Sequence, residues 1–121
     1  MRLLLLGTIF AALSCGATAS DKDNSSSTQG AVSCGKYIEE RGLKGWSYTV
    51  IKGWVAGYVT AYNGLAPDTY DILGKSDLNH AMLWMEDYCK AHPLENLANG
   101  MKVLMTVLYP KRTRTAKDAG R

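Results

Sequence analysis

Proline at position 93 is the strongest constraint on this chain. It has no backbone N–H and biases His92 away from helical angles. The helical pattern running through Trp84-Met85-Glu86-Asp87-Tyr88-Cys89 must therefore stop there. Proline also suits the first position of a helix, so Pro93-Leu94-Glu95 reads as the opening of the next one, with Glu95 near its positive end. Cys89 stands one turn before this corner, and whatever it bonds to is held beside two helices at once.

The start of the chain bears on what Cys89 can bond to. Arg2, the apolar run Leu3 to Leu13 and the small-x-small triplet Ala17-Thr18-Ala19 have the form of an export signal covering residues 1–19. The run is too short for a membrane span, which needs about 20 apolar residues. The alternative is a lipoprotein acylated at Cys15, although Ala12 stands where such signals usually carry leucine. Cleavage after Ala19 removes Cys15 and leaves Cys34 and Cys89. An even cysteine count in a small exported domain points to one disulfide, with two buried free thiols as the alternative. The expected location is the periplasm, with no stable membrane anchor.

Residues 20–30 contain no apolar side chain and read as a disordered leader. Residues 110–121, rich in lysine and arginine, read as a disordered basic tail. Between them, residues 31–109 read as one domain. Ser33 caps a first helix from Cys34 to about Arg41. A second spans about Tyr48 to Asn63, with Val50, Ile51, Trp54, Val55, Tyr58, Val59 and Tyr62 at helical spacing. Its Gly53, Gly57 and Ala61 form a small-residue stripe that suits a close helix pair, which makes this helix the expected centre of the fold. Leu65 to Lys75 form a loop. Ser76 or Asp77 caps a third helix with Leu78, Ala81, Met82, Met85, Tyr88 and Cys89 on its apolar face and Glu86, Asp87 and Lys90 toward solvent. The fourth, Pro93 to about Tyr109, carries Leu94, Leu97, Ala98, Met101, Leu104, Met105 and Leu108. No segment alternates like a half-buried strand. The fold class is all-α: a small four-helix single domain with one disulfide.

Motifs for chemistry are sparse. His80 and His92 stand more than three turns apart on one helix and cannot by themselves share a metal. Asp68 and Asp71 suit turn-forming roles better than an acid pair. There is no phosphate loop, no nucleophile elbow and no cysteine left over as a nucleophile, so neither an enzyme, a metal nor a cofactor is expected. The rings and thioethers are more informative. Trp54, Tyr58, Met82, Met85, Met101 and Met105 are the candidate residues for binding a client or partner, since methionine-rich faces adapt to varied surfaces. At their spacing the four methionines also read as core. In an exported protein the basic tail suits solubility better than nucleic acid, and no nucleic-acid partner is expected.

The segment Tyr88-Cys89-Lys90-Ala91-His92-Pro93-Leu94-Glu95-Asn96-Leu97 resembles the Tyr-Cys-Lys-x-x-Pro-x-x-Asn-Leu segment of the periplasmic acid-stress chaperones of the HdeA/HdeB kind. Cys34-x-x-Tyr37-Ile38 is similar to the cysteine that opens their first helix. Asp71-Ile72-Leu73-Gly74 is similar to their Asp-Val-x-Gly loop. The resemblance runs in order over residues 33–97; the glycine stripe of the second helix and the long fourth helix depart from it. It implies a chaperone that holds unfolded periplasmic proteins on apolar surface exposed at low pH, with a homodimer as a compatible resting state. The paired cysteines and the corner also resemble small disulfide-bonded immunity proteins of type VI secretion, which implies a single protein partner instead. Charge is compatible with an acid response. Residues 31–109 hold seven lysine or arginine side chains against eight acidic ones. Protonating the acids and both histidines at about pH 2 leaves nine positive charges in that region.

Overall fold

The computed structural model describes residues 22–23 and 25–121. The expected export signal, its cleavage site and Cys15 lie outside the described residues. Among the described residues there are four α-helices and no strand: α1 Cys34–Leu43, α2 Trp46–Leu65, α3 Leu78–Ala91 and α4 Leu97–Leu108, followed by a 3-10 turn, Tyr109–Lys111.

Local chemistry accounts for most of the boundaries. Ser33 caps α1, its hydroxyl accepting from the Lys36 amide at 3.1 Å. Lys44 ends the helix in the left-handed conformation, φ 52°, so α2 starts only two residues later, at Trp46 rather than Tyr48. Pro67 lies just beyond the end of α2, and Ala66 before it is extended, as a residue preceding proline should be. Asp77 caps α3 by accepting from the His80 amide at 2.9 Å.

The start of α4 differs from expectation. Pro93 does end α3, with His92 at non-helical angles, but it does not open α4. Asn96 caps that helix, accepting from the Asn99 amide at 3.0 Å. The cause is a short antiparallel bridge between Ser33 and Asn96. The Cys34 amide donates to the Glu95 carbonyl, and the Leu97 amide to the Val32 carbonyl, each at 2.9 Å. Those are the backbone groups that a helix running from Pro93 would have used for itself. Leu94, expected on the apolar face, is fully exposed on the resulting turn.

The centre of the fold is also not the one expected. Helix α3 packs against α1, α2 and α4, and its Ala81, Met82, Met85 and Cys89 are all buried. Helix α2 buries one side only, through Ile51, Val55 and Val59. Its Gly53, Gly57 and Ala61 are exposed, and a side chain added at either glycine would meet nothing. The close approach occurs instead at Gly100 of α4. A Cβ there would stand 2.5 Å from Met85 Sδ and 2.9 Å from a Tyr88 ring carbon. Neither neighbour yields easily, because Met85 is fully buried and the Tyr88 ring is stacked between Trp84 and His92. Overpacking costs about 1–3 kcal/mol, against roughly 1 kcal/mol that alanine gains over glycine within a helix. Gly100→Ala is therefore expected to lower the melting temperature, whereas Gly57→Ala should raise it; thermal melts of the two variants check this.

The tail also departs from expectation. Residues 110–113 are not free but fold back on the loop before α3. The Arg112 guanidinium lies 3.8 Å over the Tyr109 ring and donates from Nε to the Asp68 carbonyl at 2.9 Å. Thr113 and Asp71 exchange both backbone hydrogen bonds, at 2.9 and 3.0 Å. Gly74, at φ 60°, leaves room for the Lys111 carbonyl, 2.6 Å from where a Cβ would stand. Beyond Pro110 the segment lacks apolar side chains, but backbone bonding and a cation over an aromatic ring suffice to pin it.

Candidate functional site

Besides the hydrogen bond from Tyr37 to the Met82 carbonyl, two unlike side-chain ties hold the junction of α1 and α3. One is the disulfide, which the structure places between Cys34 and Cys89 with Cα atoms 4.8 Å apart. Both residues are buried, and the bond joins the first turn of α1 to the last turns of α3. The other tie is ionic and lies one turn back along α3. Arg41 Nε donates to Glu86 Oε2, Lys90 Nζ donates to Glu86 Oε1 at 2.6 Å, and Arg41 Nη1 reaches Tyr48 Oη on α2 at 2.9 Å. Glu86 thus faces the α1–α3 junction, 23% exposed, and not open solvent as its place in the sequence suggests. A residue on the shoulder of an amphipathic helix is solvated only until a neighbouring helix brings it a cation.

Two carboxylates, one in α3 and one at its cap, are favoured in the ionised form by such contacts. Hydrogen bonds from Lys90, then from Arg41, hold the Glu86 carboxyl below the usual glutamate range. The Asp77 carboxyl is likewise lowered, by the His80 amide and then the His80 ring. A carboxyl with a depressed folded-state pKa stabilises the fold above the unfolded value, near 4, and that contribution is lost as pH falls through the folded value. Both groups belong to α3, one as its cap and one as its tie to α1. Glu86→Gln is expected to melt lower than the natural protein at neutral pH, by about 1 kcal/mol or less because the pair is partly solvated. The two proteins should converge as the pH falls below about 4. Melting curves across that range check this.

The six candidate binding residues fall into two groups. Met82, Met85, Met101 and Met105 are buried between α3 and α4 and form the core, not a surface of the folded domain. In the same core the Tyr37 hydroxyl donates to the Met82 carbonyl at 2.6 Å; burial pushes the Tyr37 phenol up to about 12. Trp54 and Tyr58 lie half-buried on α2, their rings 5.6 Å apart. Trp54 also covers the end of the leader, donating from its indole to the Gln29 carbonyl at 2.6 Å. Residues 29–30 are to that extent placed against the domain, where residues 20–30 were expected to be disordered.

What the folded surface offers lies elsewhere. Leu43, Trp46 and Val50 are 70%, 79% and 54% exposed at the corner where α1 turns into α2. An open hollow of about 730 Å³ between α1, α2 and α3 is lined mainly by Arg41, Lys44, Tyr48, Lys52, Asn79 and Glu86. A smaller groove of about 310 Å³ between α3 and α4 is more apolar, with Leu73, Trp84, Leu104 and Leu108 in its walls. Val50 sits within the apolar arc of α2 in the sequence, and only the packing shows that this edge of the arc is uncovered.

The histidines have local roles. His92 Nδ1 lies 2.9 Å from the Tyr88 carbonyl at the end of α3, and His80 pairs with the Asp77 cap. Asp71 forms an Asx turn, accepting from the Leu73 amide at 3.0 Å. Among the described residues no group of three His, Cys, Asp or Glu side chains converges as metal ligands, and no helix is long and apolar enough to cross a membrane. Compared with protein-family models, curated proteins and solved structures, the chain matches none.

Proposed function

We propose that this chain is an exported acid-stress chaperone of the HdeA/HdeB kind, which holds unfolded periplasmic proteins on apolar surface freed at low pH. The observation that carries this reading is the pairing of an acid-labile tie with an acid-stable one at a single helix junction. Protonating Glu86 and Asp77 loosens α3 from α1 and weakens its cap, while Cys34–Cys89 keeps the two helices joined. Charge acts in the same direction, since the domain passes from near neutrality to strong positive self-repulsion. The surface released is the layer of Met82, Met85, Met101 and Met105, whose flexible thioethers suit varied clients. The sequence resemblance around Cys89 and Pro93 adds to this reading. The test is light scattering from a client that aggregates in acid. The oxidised protein is expected to suppress scattering at about pH 2–3 and not at neutral pH. Equal suppression at both, or none at either, overturns the reading.

A specific observation favours a second reading, in which the folded domain binds one protein partner at neutral pH. Leu43, Trp46 and Val50 stand exposed together at one corner, and an exposed tryptophan is a common anchor of protein interfaces. Pull-down at neutral pH with and without Trp46→Ala tests it: a specific captured partner should be lost in the variant, and capture unaffected by the change rules this corner out.

A further inference from the structure

The hollow between α1, α2 and α3 is wired so that its polar groups present donors. Arg41 donates to the Tyr48 oxygen at 2.9 Å, which engages that oxygen as an acceptor and leaves the phenol proton to be given elsewhere. Lys52 donates to Asn79 Oδ1 at 2.8 Å, leaving the Asn79 amide nitrogen as the group to offer. The Lys44 ammonium has no side-chain hydrogen bond or ion pair among the described residues. The single carboxylate in the wall, Glu86, has both oxygens engaged, by Arg41 and by Lys90. Three cations and two neutral donors therefore face a space whose single carboxylate already accepts from Arg41 and Lys90. Leu43 and Trp46, both exposed, are next to these lining residues in the sequence, at the end of α1 and the start of α2.

We propose that the hollow receives carboxylate side chains from an acidic segment of a partner protein, with Leu43 and Trp46 taking an apolar residue of the same segment. This rests on the second reading above, that of a folded-state binder, and supplies the chemistry of its partner. Carboxylates suit the site because they match separate single donors. A nucleic acid would need a basic track along its backbone, whereas these cations are gathered at one hollow on a domain with slightly more acids than bases.

The experiment is fluorescence anisotropy on the oxidised protein at neutral pH and low salt, using a short labelled peptide of glutamate and leucine. A glutamine–leucine counterpart, anionic phospholipid vesicles and a duplex oligonucleotide serve as the other arms. The acidic peptide is expected to bind, to weaken with added salt, and to lose roughly tenfold in affinity when Lys44→Glu and Lys52→Glu are combined. Combining Lys75→Glu with Lys102→Glu makes the same change in net charge at exposed sites away from the hollow and should leave affinity nearly unaltered. Equal weakening by both pairs would mean diffuse attraction and overturn the site. Equal binding of the glutamine peptide, lost in Trp46→Ala, would overturn the acidic specificity while leaving the folded-state reading standing. Binding of neither peptide, or tighter binding to the vesicles or the oligonucleotide, overturns the proposal.

Discussion

Reduction of the Cys34–Cys89 bond is expected to destabilise the folded domain by about 4 kcal/mol, the chain-entropy value for closing a loop of this length. The bond spans 55 positions of sequence, and domains of this size have only about 5–15 kcal/mol of net stability. The location enlarges the consequence. The first helix is otherwise fastened to α3 by Tyr37 and by the Glu86 ion pair, and to the start of α4 by the short bridge from Ser33 to Asn96. Without the disulfide, acid would remove the ion pair and leave α1 held by the Tyr37 hydrogen bond, the bridge and side-chain packing. Denaturant unfolding of the oxidised protein and of a Cys34→Ser, Cys89→Ser variant measures the difference. Coincident unfolding curves would mean that the bond does not brace the fold.

Met101→Ala should be of similar size, about 2–5 kcal/mol, because it opens a cavity in a fully buried layer. Leu83→Ala, at a half-exposed position on the neighbouring helix, should change stability by about 0.5 kcal/mol or less. The contrast separates two roles for the methionines. If they served as a docking face of the folded protein, truncating one would impair binding and hardly alter unfolding. As core, Met101 must do the reverse at neutral pH and affect client binding only after the domain has opened. Chemical denaturation of the two variants, run at neutral pH, distinguishes these roles.

The helices were legible because their signals are local. Ser33 and Asp77 cap where their side chains can reach the next turn, and Pro93 stops α3 through its own ring. The paired cysteines were legible because only two remain after the expected cleavage. What escaped depends on contacts between distant segments. Helix α4 starts at Leu97 because residues 32–34 claim the backbone of residues 95–97, and no local pattern records that claim. The glycines of α2 advertise a close approach that the fold makes at Gly100 instead, since spacing shows that small residues share a face but not which face meets a neighbour. Glu86 looks solvated until Arg41 arrives from a helix 45 positions away. The tail is pinned by carbonyls and by one guanidinium over a ring, interactions that leave no hydrophobic trace. The hollow was illegible for the same reason, because its donors come from three elements and its wiring depends on which acceptors are already engaged.

The central claim is that acid opens this domain while the disulfide keeps α1 and α3 joined. Near-ultraviolet circular dichroism of the oxidised protein, followed from about pH 7 to about pH 2, tests it most directly, because the signal depends on fixed packing around aromatic rings such as Tyr37, Trp84 and Tyr88. Acid loosening predicts that this signal collapses below about pH 4, as Glu86 and Asp77 take up protons. A near-ultraviolet spectrum unchanged down to about pH 2 would show the core still closed and would contradict the acid-chaperone account.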